Sequence, residues 1–211
     1  MKHAIPWIIA VTLLVAFGAS YSELQRMRGR FGEVTRHQFH DHKDVRHFII
    51  KAALVGLDHP IVVIGDSITE MARLPETIGD KPVVNAGIGG ATIADFQAIA
   101  PRLLQDSSPS LIVIALGAND AGSNSVQRDY TALLSTLKKL TPRLLVIAVT
   151  PMDGSDLINA QIKTVADSEG VQFVEMPVPK GSMLPDRIHL TTAGYRKWTP
   201  ALVAAISEPA R

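Results

Sequence analysis

An α/β fold built on a parallel sheet is the architecture the sequence predicts, on three observations. Short runs of aliphatic and β-branched residues recur from residue 61 onwards. Stretches with helical periodicity separate them. Each run ends in glycine, asparagine, aspartate or proline. Strands alternating with helices form right-handed βαβ units, which place a parallel sheet between two layers of helices.

The elements follow in order. Ile61-Val62-Val63-Ile64 is a continuous apolar run and reads as a buried parallel strand. Ser67 to about Arg73 reads as a short helix. Pro82–Asn85 is a shorter strand running into Gly87-Ile88-Gly89-Gly90. Thr92 caps a helix that extends to Leu104. Leu111–Leu116 is a strongly apolar strand, stopped by Gly117-Ala118-Asn119-Asp120. Val126–Leu140 is helical. Leu144–Val149 is a strand ended by Pro151. Leu157–Glu169 is a helix closed by Gly170, and Val171–Glu175 is a strand. A loop from Met176 to Pro185 leads to a last helix, started by Thr191 or Thr192 and running to Ile206. No internal repeat or low-complexity segment interrupts this pattern.

Residues 1–56 differ in character. Met1-Lys2-His3 is a basic start, and Ala4–Tyr21 is then almost wholly apolar. Residues 1–21 are expected to be a signal peptide or a membrane anchor. The length falls between a signal core and a full span of about 20 residues, and Gly18-Ala19-Ser20 suits cleavage. Arg26, Arg28 and Arg30 after the segment leave its orientation open. Export, to a periplasmic or extracellular location with or without an anchor, is the expectation.

Residues 22–56 read as one or two helices forming a linker or stalk, or packing on the domain that follows. Leu24, Met27, Phe31, Val34, Val45, Phe48, Ala52 and Val55 form a stripe at steps of three and four that keeps a heptad register. Weak self-association through residues 24–55 is one consequence. His37, His40, His42 and His47 also lie here. They read as a solvated face, because no carboxylate pattern completes a metal-ligand set. The domain boundary is expected near Gly56–Pro60, with the catalytic domain over residues 57–211.

The whole chain of 211 residues is 46% hydrophobic and 19% charged, enough for one sizeable core. A net charge of +1 and only 5% aromatic residues give no basis for nucleic-acid binding. The absence of cysteine excludes disulfides, thiolate catalysis and Cys-ligated zinc.

Each polar cluster falls just after an expected strand, or in the last loop. In such folds the carboxyl-terminal loops converge on one edge of the sheet. Ser67 in Gly65-Asp66-Ser67 would sit there as a nucleophile. A serine needs a base within hydrogen-bond reach, and the base needs an orienting partner. His189 is the candidate base, since the other histidine beyond residue 58, His59, precedes the first strand. Asp186 lies three residues earlier and can hold its tautomer. The oxyanion of acyl transfer needs preorganised donors. Candidates are the Ser67 N–H, the Gly90 N–H and the Asn119 amide. Asp66 and Asp120 read as turn-shaping and structural carboxylates, Glu70 as a first-turn helix acid, and Tyr195 and Trp198 as packing for the last helix.

Gly65-Asp66-Ser67-Ile68-Thr69, a glycine near Gly90, Gly117-Ala118-Asn119-Asp120 and Asp186-Arg187-Ile188-His189 together resemble the SGNH (GDSL-type) hydrolases over about residues 60–207. Ile68 replaces the leucine of the family's motif. The resemblance implies a flavodoxin-like three-layer α/β/α sandwich and ester hydrolysis without a cofactor or metal. It implies Ser67, Asp186 and His189 as the catalytic residues, with Ser67, Gly90 and Asn119 at the oxyanion hole. Gly87 and Gly89 compete with Gly90, and alignment of Val84-Asn85-Ala86 with the family pattern favours Gly90.

The expected function is therefore a serine esterase working through an acyl-enzyme. Its expected substrate is a small acyl group, such as acetyl, on a carbohydrate or other small alcohol. Alternatives are a lysophospholipase or thioesterase on longer chains, or a membrane-tethered binding module with little catalysis.

Overall fold

The computed structural model describes residues 4–34, 41–141, 143–177 and 181–208. The chain divides into two compact units, residues 1–41 and 42–211. Among its described residues the first contains one helix, α1 (Ala4–Val34). Most of the expected signal or anchor and the first part of the following polar stretch thus lie in one continuous helix, about 46 Å long at 1.5 Å per residue. Trp7, Leu13, Leu14 and Phe17 are exposed on it, and Phe17 stacks on Tyr21. Among the described residues, no helix is long and apolar enough to cross a membrane.

The second unit begins with α2 (His42–Leu54) and continues as an α/β domain. Its strands are β1 (Ile61–Gly65), β2 (Thr77–Ile78), β3 (Lys81–Gly87), β4 (Leu111–Ala115), β5 (Leu144–Ile147) and β6 (Gln172–Val174). Its other helices are α3 (Ser67–Glu70), α4 (Ile93–Leu104), α5 (Val126–Leu137), α6 (Ser155–Ser168) and α7 (Thr192–Ser207). The sheet order is β2-β3-β1-β4-β5-β6. All pairs are parallel except β2–β3 at the edge. Without β2 the order is that of the flavodoxin-like doubly wound sheet.

The two faces of the strands feed two cores. Val62, Ile64, Ile112, Ile114 and Val146 pack with Phe96, Tyr130, Leu133 and Ile162 from α4, α5 and α6. Ile61, Val63, Leu111, Val113 and Ile147 pack with Ile68, Trp198 and Leu202 from α3 and α7. Continuous apolar strands are what a sheet covered on both faces requires.

The helix starts follow their caps. Thr92 and Asp95 form a reciprocal capping box on α4, and the Thr191 hydroxyl accepts the Gly194 N–H at α7. The expected helices after residues 67 and 126 end three residues early, and β2 was not anticipated. It is a two-residue edge pair with no period of its own.

The N-terminal stripe is not one helix. Leu24 and Met27 lie in α1, whereas Val45, Phe48 and Ala52 lie in α2. Phe31 and Val34 end α1, and their side chains lie outside the described set, as do residues 35–40, which include His37 and His40. On α2 the stripe is also not the buried face. Val45 and Phe48 are exposed, Val55 just beyond is 80% exposed, and Ile50 and Leu54 are the buried residues. The compact unit therefore starts at His42, not near Gly56–Pro60, because Ile50 and Leu54 belong to the core beneath α4.

Candidate active site

β1 is central in the sheet, so the chain must turn sharply as it leaves Gly65. A Cβ there would lie 2.0 Å from Thr69 Oγ1 and 2.9 Å from the Ala115 carbonyl, so only glycine lets α3 fold back over the strand end. Asp66 is buried and caps α3: its Oδ1 accepts the Ile68 N–H at 2.9 Å. Burial pushes its carboxyl up to about 6, against the lowering effect of that N–H. Ser67 is the first residue of α3, with its hydroxyl at the carboxyl edge of the sheet.

The loop before α7 is closed at its base by a bridge between Met183 and Leu190. The Leu184 N–H donates to the His189 carbonyl at 2.7 Å and the Thr191 N–H to the Ser182 carbonyl at 2.8 Å. Asp186 Oδ1 accepts the N–H groups of Ile188 and His189, each at 3.0 Å. These two bonds brace a turn in which Arg187 takes φ +59°. The other carboxylate oxygen, Oδ2, lies 2.7 Å from His189 Nδ1, and His189 Nε2 lies 2.9 Å from Ser67 Oγ.

The His189 ring, then the two backbone N–H groups, hold the Asp186 carboxyl down at about 2. It is an ionised acceptor at neutral pH, so His189 Nδ1 carries the hydrogen. In the neutral ring Nε2 is then the acceptor, and the Ser67 hydroxyl donates to it. Ser67, His189 and Asp186 form one hydrogen-bonded chain across 122 residues of sequence. Chemically, it is a hydroxyl with a general base attached and that base oriented by a carboxylate.

Gly90 and Asn119 lie on the loops after β3 and β4, the strands on either side of β1. Of the three competing glycines, two have their N–H groups occupied. Gly87 donates to Asn85 Oδ1 at 2.9 Å and Gly89 to Glu70 Oε2 at 2.5 Å. Gly90 is exposed at φ +71°, and its N–H has no acceptor among the described residues. Asn119 sits in a 3-10 turn (Ala118–Asp120), and its Nδ2 donates to the Ala91 carbonyl at 2.9 Å. One hydrogen of that amide ties the two loops together and leaves the other for a ligand. Beneath it, buried Asp120 accepts the Ile93 N–H at 3.1 Å, and burial raises its carboxyl to about 6.

Five residues around the site do more than the sequence alone revealed. Asn85 donates from Nδ2 to the carbonyls of Thr69 at 2.7 Å and Ala72 at 3.0 Å, fastening the end of α3 to β3. The signal was an asparagine inside a strand, where that residue is disfavoured. Glu70 contacts both His42 and Arg46, and Glu70 and Arg46 each bond the glycine loop, although none belongs to a recognisable pattern. Tyr195 does pack α7, edge-on to Trp198, and also donates its hydroxyl to the Ile68 carbonyl at 2.8 Å.

A groove of about 620 Å³ runs beside the site, lined by Met71, Leu190, Tyr195 and Pro200 with Arg73 and Arg196 at its margin. Among the described residues no group of three or more histidines and carboxylates is placed to hold a metal ion. His42 engages Glu70, and His37 and His40 lie outside the described residues.

Residues 63–197 match the GDSL-like Lipase/Acylhydrolase family. No curated protein matches the chain. Among solved structures, Axe2, an acetyl xylan esterase from Geobacillus stearothermophilus, is similar at 19% identity and TM-score 0.59, over 75% of this chain and 99% of that one. A GDSL-like lipase from Bacteroides thetaiotaomicron is similar at 20% identity and TM-score 0.60, over 76% and 94%. TesA is similar at 23% identity and TM-score 0.60, over 70% and 98%. At these identities the structures share the fold.

Proposed function

The chain belongs to the GDSL-like lipase/acylhydrolase family and is a serine esterase, and from that premise we propose that it removes a small acyl group from a carbohydrate or other small alcohol through an acyl-enzyme on Ser67. Ser67 Oγ attacks the ester carbonyl while His189 Nε2 takes its proton. Asp186, ionised beside Nδ1, stabilises the imidazolium so formed. The tetrahedral oxyanion accepts hydrogen bonds from the N–H groups of Ser67 and Gly90 and from the Asn119 amide. His189 then gives its proton to the leaving alcohol. In the second half, His189 takes a proton from water, the water attacks the acyl-enzyme, and the acid leaves as Ser67 is restored.

The observation that carries this reading is the unbroken chain Ser67 Oγ–His189 Nε2 at 2.9 Å and His189 Nδ1–Asp186 Oδ2 at 2.7 Å. A small acyl group is supported by the short loops around Ser67, none of which is long enough for an obvious lid. It is supported also by similarity to a protein that is itself an acetyl xylan esterase. The apolar composition of Ala4–Tyr21 supports export, with the segment as signal or tether.

One observation favours a second substrate class. The groove lined by Met71, Leu190, Tyr195 and Pro200 begins one residue from His189 and could take a longer acyl chain, as in a lysophospholipase or thioesterase. Hydrolysis of acetyl, octanoyl and palmitoyl p-nitrophenyl esters by the full chain decides between them. A steep fall in kcat/KM beyond acetyl supports deacetylation, and a rise supports the groove as an acyl site. In the same assay Ser67→Ala is expected to abolish turnover with its circular dichroism unchanged. Retained turnover removes Ser67 as nucleophile, and failure of wild-type Ser67 to react with a fluorophosphonate would favour a binding role instead.

A further inference from the structure

Helix α2 lies before the segment that matches the family, and its inward face carries charged residues among the apolar ones. Arg46, with its side chain 15% exposed, donates from Nε to the Gly87 carbonyl at 2.9 Å and from Nη2 to the Asn85 carbonyl at 3.3 Å. The same Nε lies 3.5 Å from Glu70 Oε1. The other oxygen of Glu70 accepts the Gly89 N–H at 2.5 Å and the His42 imidazole Nε2 at 2.8 Å. One turn along, Lys43 donates to Asp95 Oδ2 at 2.8 Å, the oxygen that accepts the Thr92 N–H in the capping box of α4. So α2 grips the loop between β3 and α4 at both ends.

That loop is Gly87-Ile88-Gly89-Gly90-Ala91. Glycine has more backbone freedom than any other residue, so an N–H on such a loop is poorly oriented unless something fixes it. Oxyanion stabilisation depends on donors that are oriented before the charge forms. The packing leaves little slack once Glu70 is in place. A Cβ on Gly87 would lie 2.2 Å from the Glu70 backbone nitrogen, and a Cβ on Gly89 would lie 3.2 Å from Glu70 Oε2 and 3.5 Å from His42 Nε2. Arg46 contacts both the loop and Glu70 through one planar guanidinium, which a lysine cannot reproduce.

We propose that Glu70 is a positioning residue for ester hydrolysis: held by Arg46 and His42 of α2, its carboxylate takes the Gly89 N–H and thereby leaves the Gly90 N–H aimed at the oxyanion. This rests on the reading of Gly90 as an oxyanion donor. It makes α2 part of the catalytic machinery. It also explains the choice among three neighbouring glycines, since Gly87 and Gly89 are already engaged.

The test compares Glu70→Ala, Glu70→Gln and Arg46→Ala with wild type in the full chain. Kinetics are read with p-nitrophenyl acetate, alongside the inhibition constant of a short-chain boronic acid, which forms a tetrahedral adduct on serine. Glu70→Ala and Arg46→Ala are expected to lower kcat tenfold or more, with KM changed less than about twofold and boronate affinity weakened alongside kcat. Glu70→Gln, which keeps an oxygen for the Gly89 N–H, is expected to recover most of the loss. A loss of kcat below tenfold in folded Glu70→Ala and Arg46→Ala overturns the proposal. So does a loss that Glu70→Gln fails to recover, which marks a structural role alone. If Glu70→Ala does not fold, Arg46→Ala and Glu70→Gln decide by the same thresholds. Asn119→Ala separates the premise: if it falls steeply while the α2 variants do not, only the positioning role fails. If it too is unaffected, the oxyanion reading fails with it.

Discussion

Replacing Asp120 by asparagine should stabilise the protein at neutral pH and hardly at all in acid. Asp120 is 9% exposed, and its carboxylate accepts a hydrogen bond from the Ile93 N–H. Burial, then the negative charges of Asp129 and Asp95, raise its pKa from 3.8 to about 6. The folded state therefore binds the proton more tightly than the unfolded chain. Its contribution to stability is fully present below pH about 4 and is lost as pH rises through about 6. Two units at about 1.4 kcal/mol each put the loss at up to about 3 kcal/mol by pH 8.

Asparagine keeps an oxygen for Ile93 and cannot ionise, but its neutral hydrogen bond is weaker than the charged one by about 1 kcal/mol. The expected net gain for Asp120→Asn is about 1–2 kcal/mol at pH 8 and near zero at pH 4, where the protonated acid and the amide are nearly isosteric. Asp66 is raised to about 6 as well, mainly by burial and in smaller part by the charge of Asp120, so the substitution also relieves Asp66 slightly, a change in the same direction as the expected gain. The assay is urea unfolding followed by circular dichroism at intervals from pH 4 to pH 8. A difference that opens between pH 4 and 6 and then levels supports the reasoning. A difference that is flat with pH, or largest in acid, refutes it.

Two further substitutions test the packing around the site. Gly65→Ala places a methyl group 2.0 Å from Thr69 Oγ1 at the turn that presents Ser67. It should cost about 3 kcal/mol and lower kcat at temperatures where the protein remains folded. Thermal unfolding and p-nitrophenyl acetate turnover report the two effects, and a midpoint within a degree of wild type would contradict the steric argument. On α2, Ile50→Ala should cost about 2–4 kcal/mol, whereas Val55→Ser should stay within about 0.5 kcal/mol. Equal effects in denaturant unfolding would mean that the buried face of this helix is wrongly placed.

The order of strands and helices was readable because in a doubly wound sheet each buried strand is a continuous apolar run. Ile61–Ile64, Leu111–Ala115 and Leu144–Ile147 carry that signal, and Thr92 and Thr191 announce their helices by capping chemistry. The polar clusters were equally plain, because this topology sends every strand end to the same edge. Residues as far apart as Ser67 and His189 could be paired on paper, and the structure places them in hydrogen-bond contact. The short antiparallel β2 had no signal, since two residues cannot show a period.

The face of α2 was misread for a reason that bears on the site. Val45, Phe48, Ala52 and Val55 repeat at heptad spacing, and spacing alone singled them out as the apolar stripe of the region. The face turned to the domain instead reads His42, Lys43, Arg46, Ile50 and Leu54: three charged or titratable heads above two aliphatic anchors. On a hydropathy scale that face looks like solvent. It packs inward because the strand end and glycine loop beneath it expose the carbonyls of Asn85 and Gly87, and a half-buried carboxylate, Glu70, lies beside them. Backbone acceptors and an acid left without donors would each cost free energy, so the sheet edge selects a cationic helix face over an apolar one. The apolar residues left outside, Val45, Phe48 and Val55, are exposed, as apolar residues on protein surfaces often are. A truncation placed at Gly56, where composition suggests a boundary, would therefore remove Arg46 and His42, leaving Glu70 with the Gly89 N–H alone and the carbonyls of Asn85 and Gly87 without their Arg46 donors. Cutting at residue 41 keeps them and is the shorter chain in which the hydrolase should be studied.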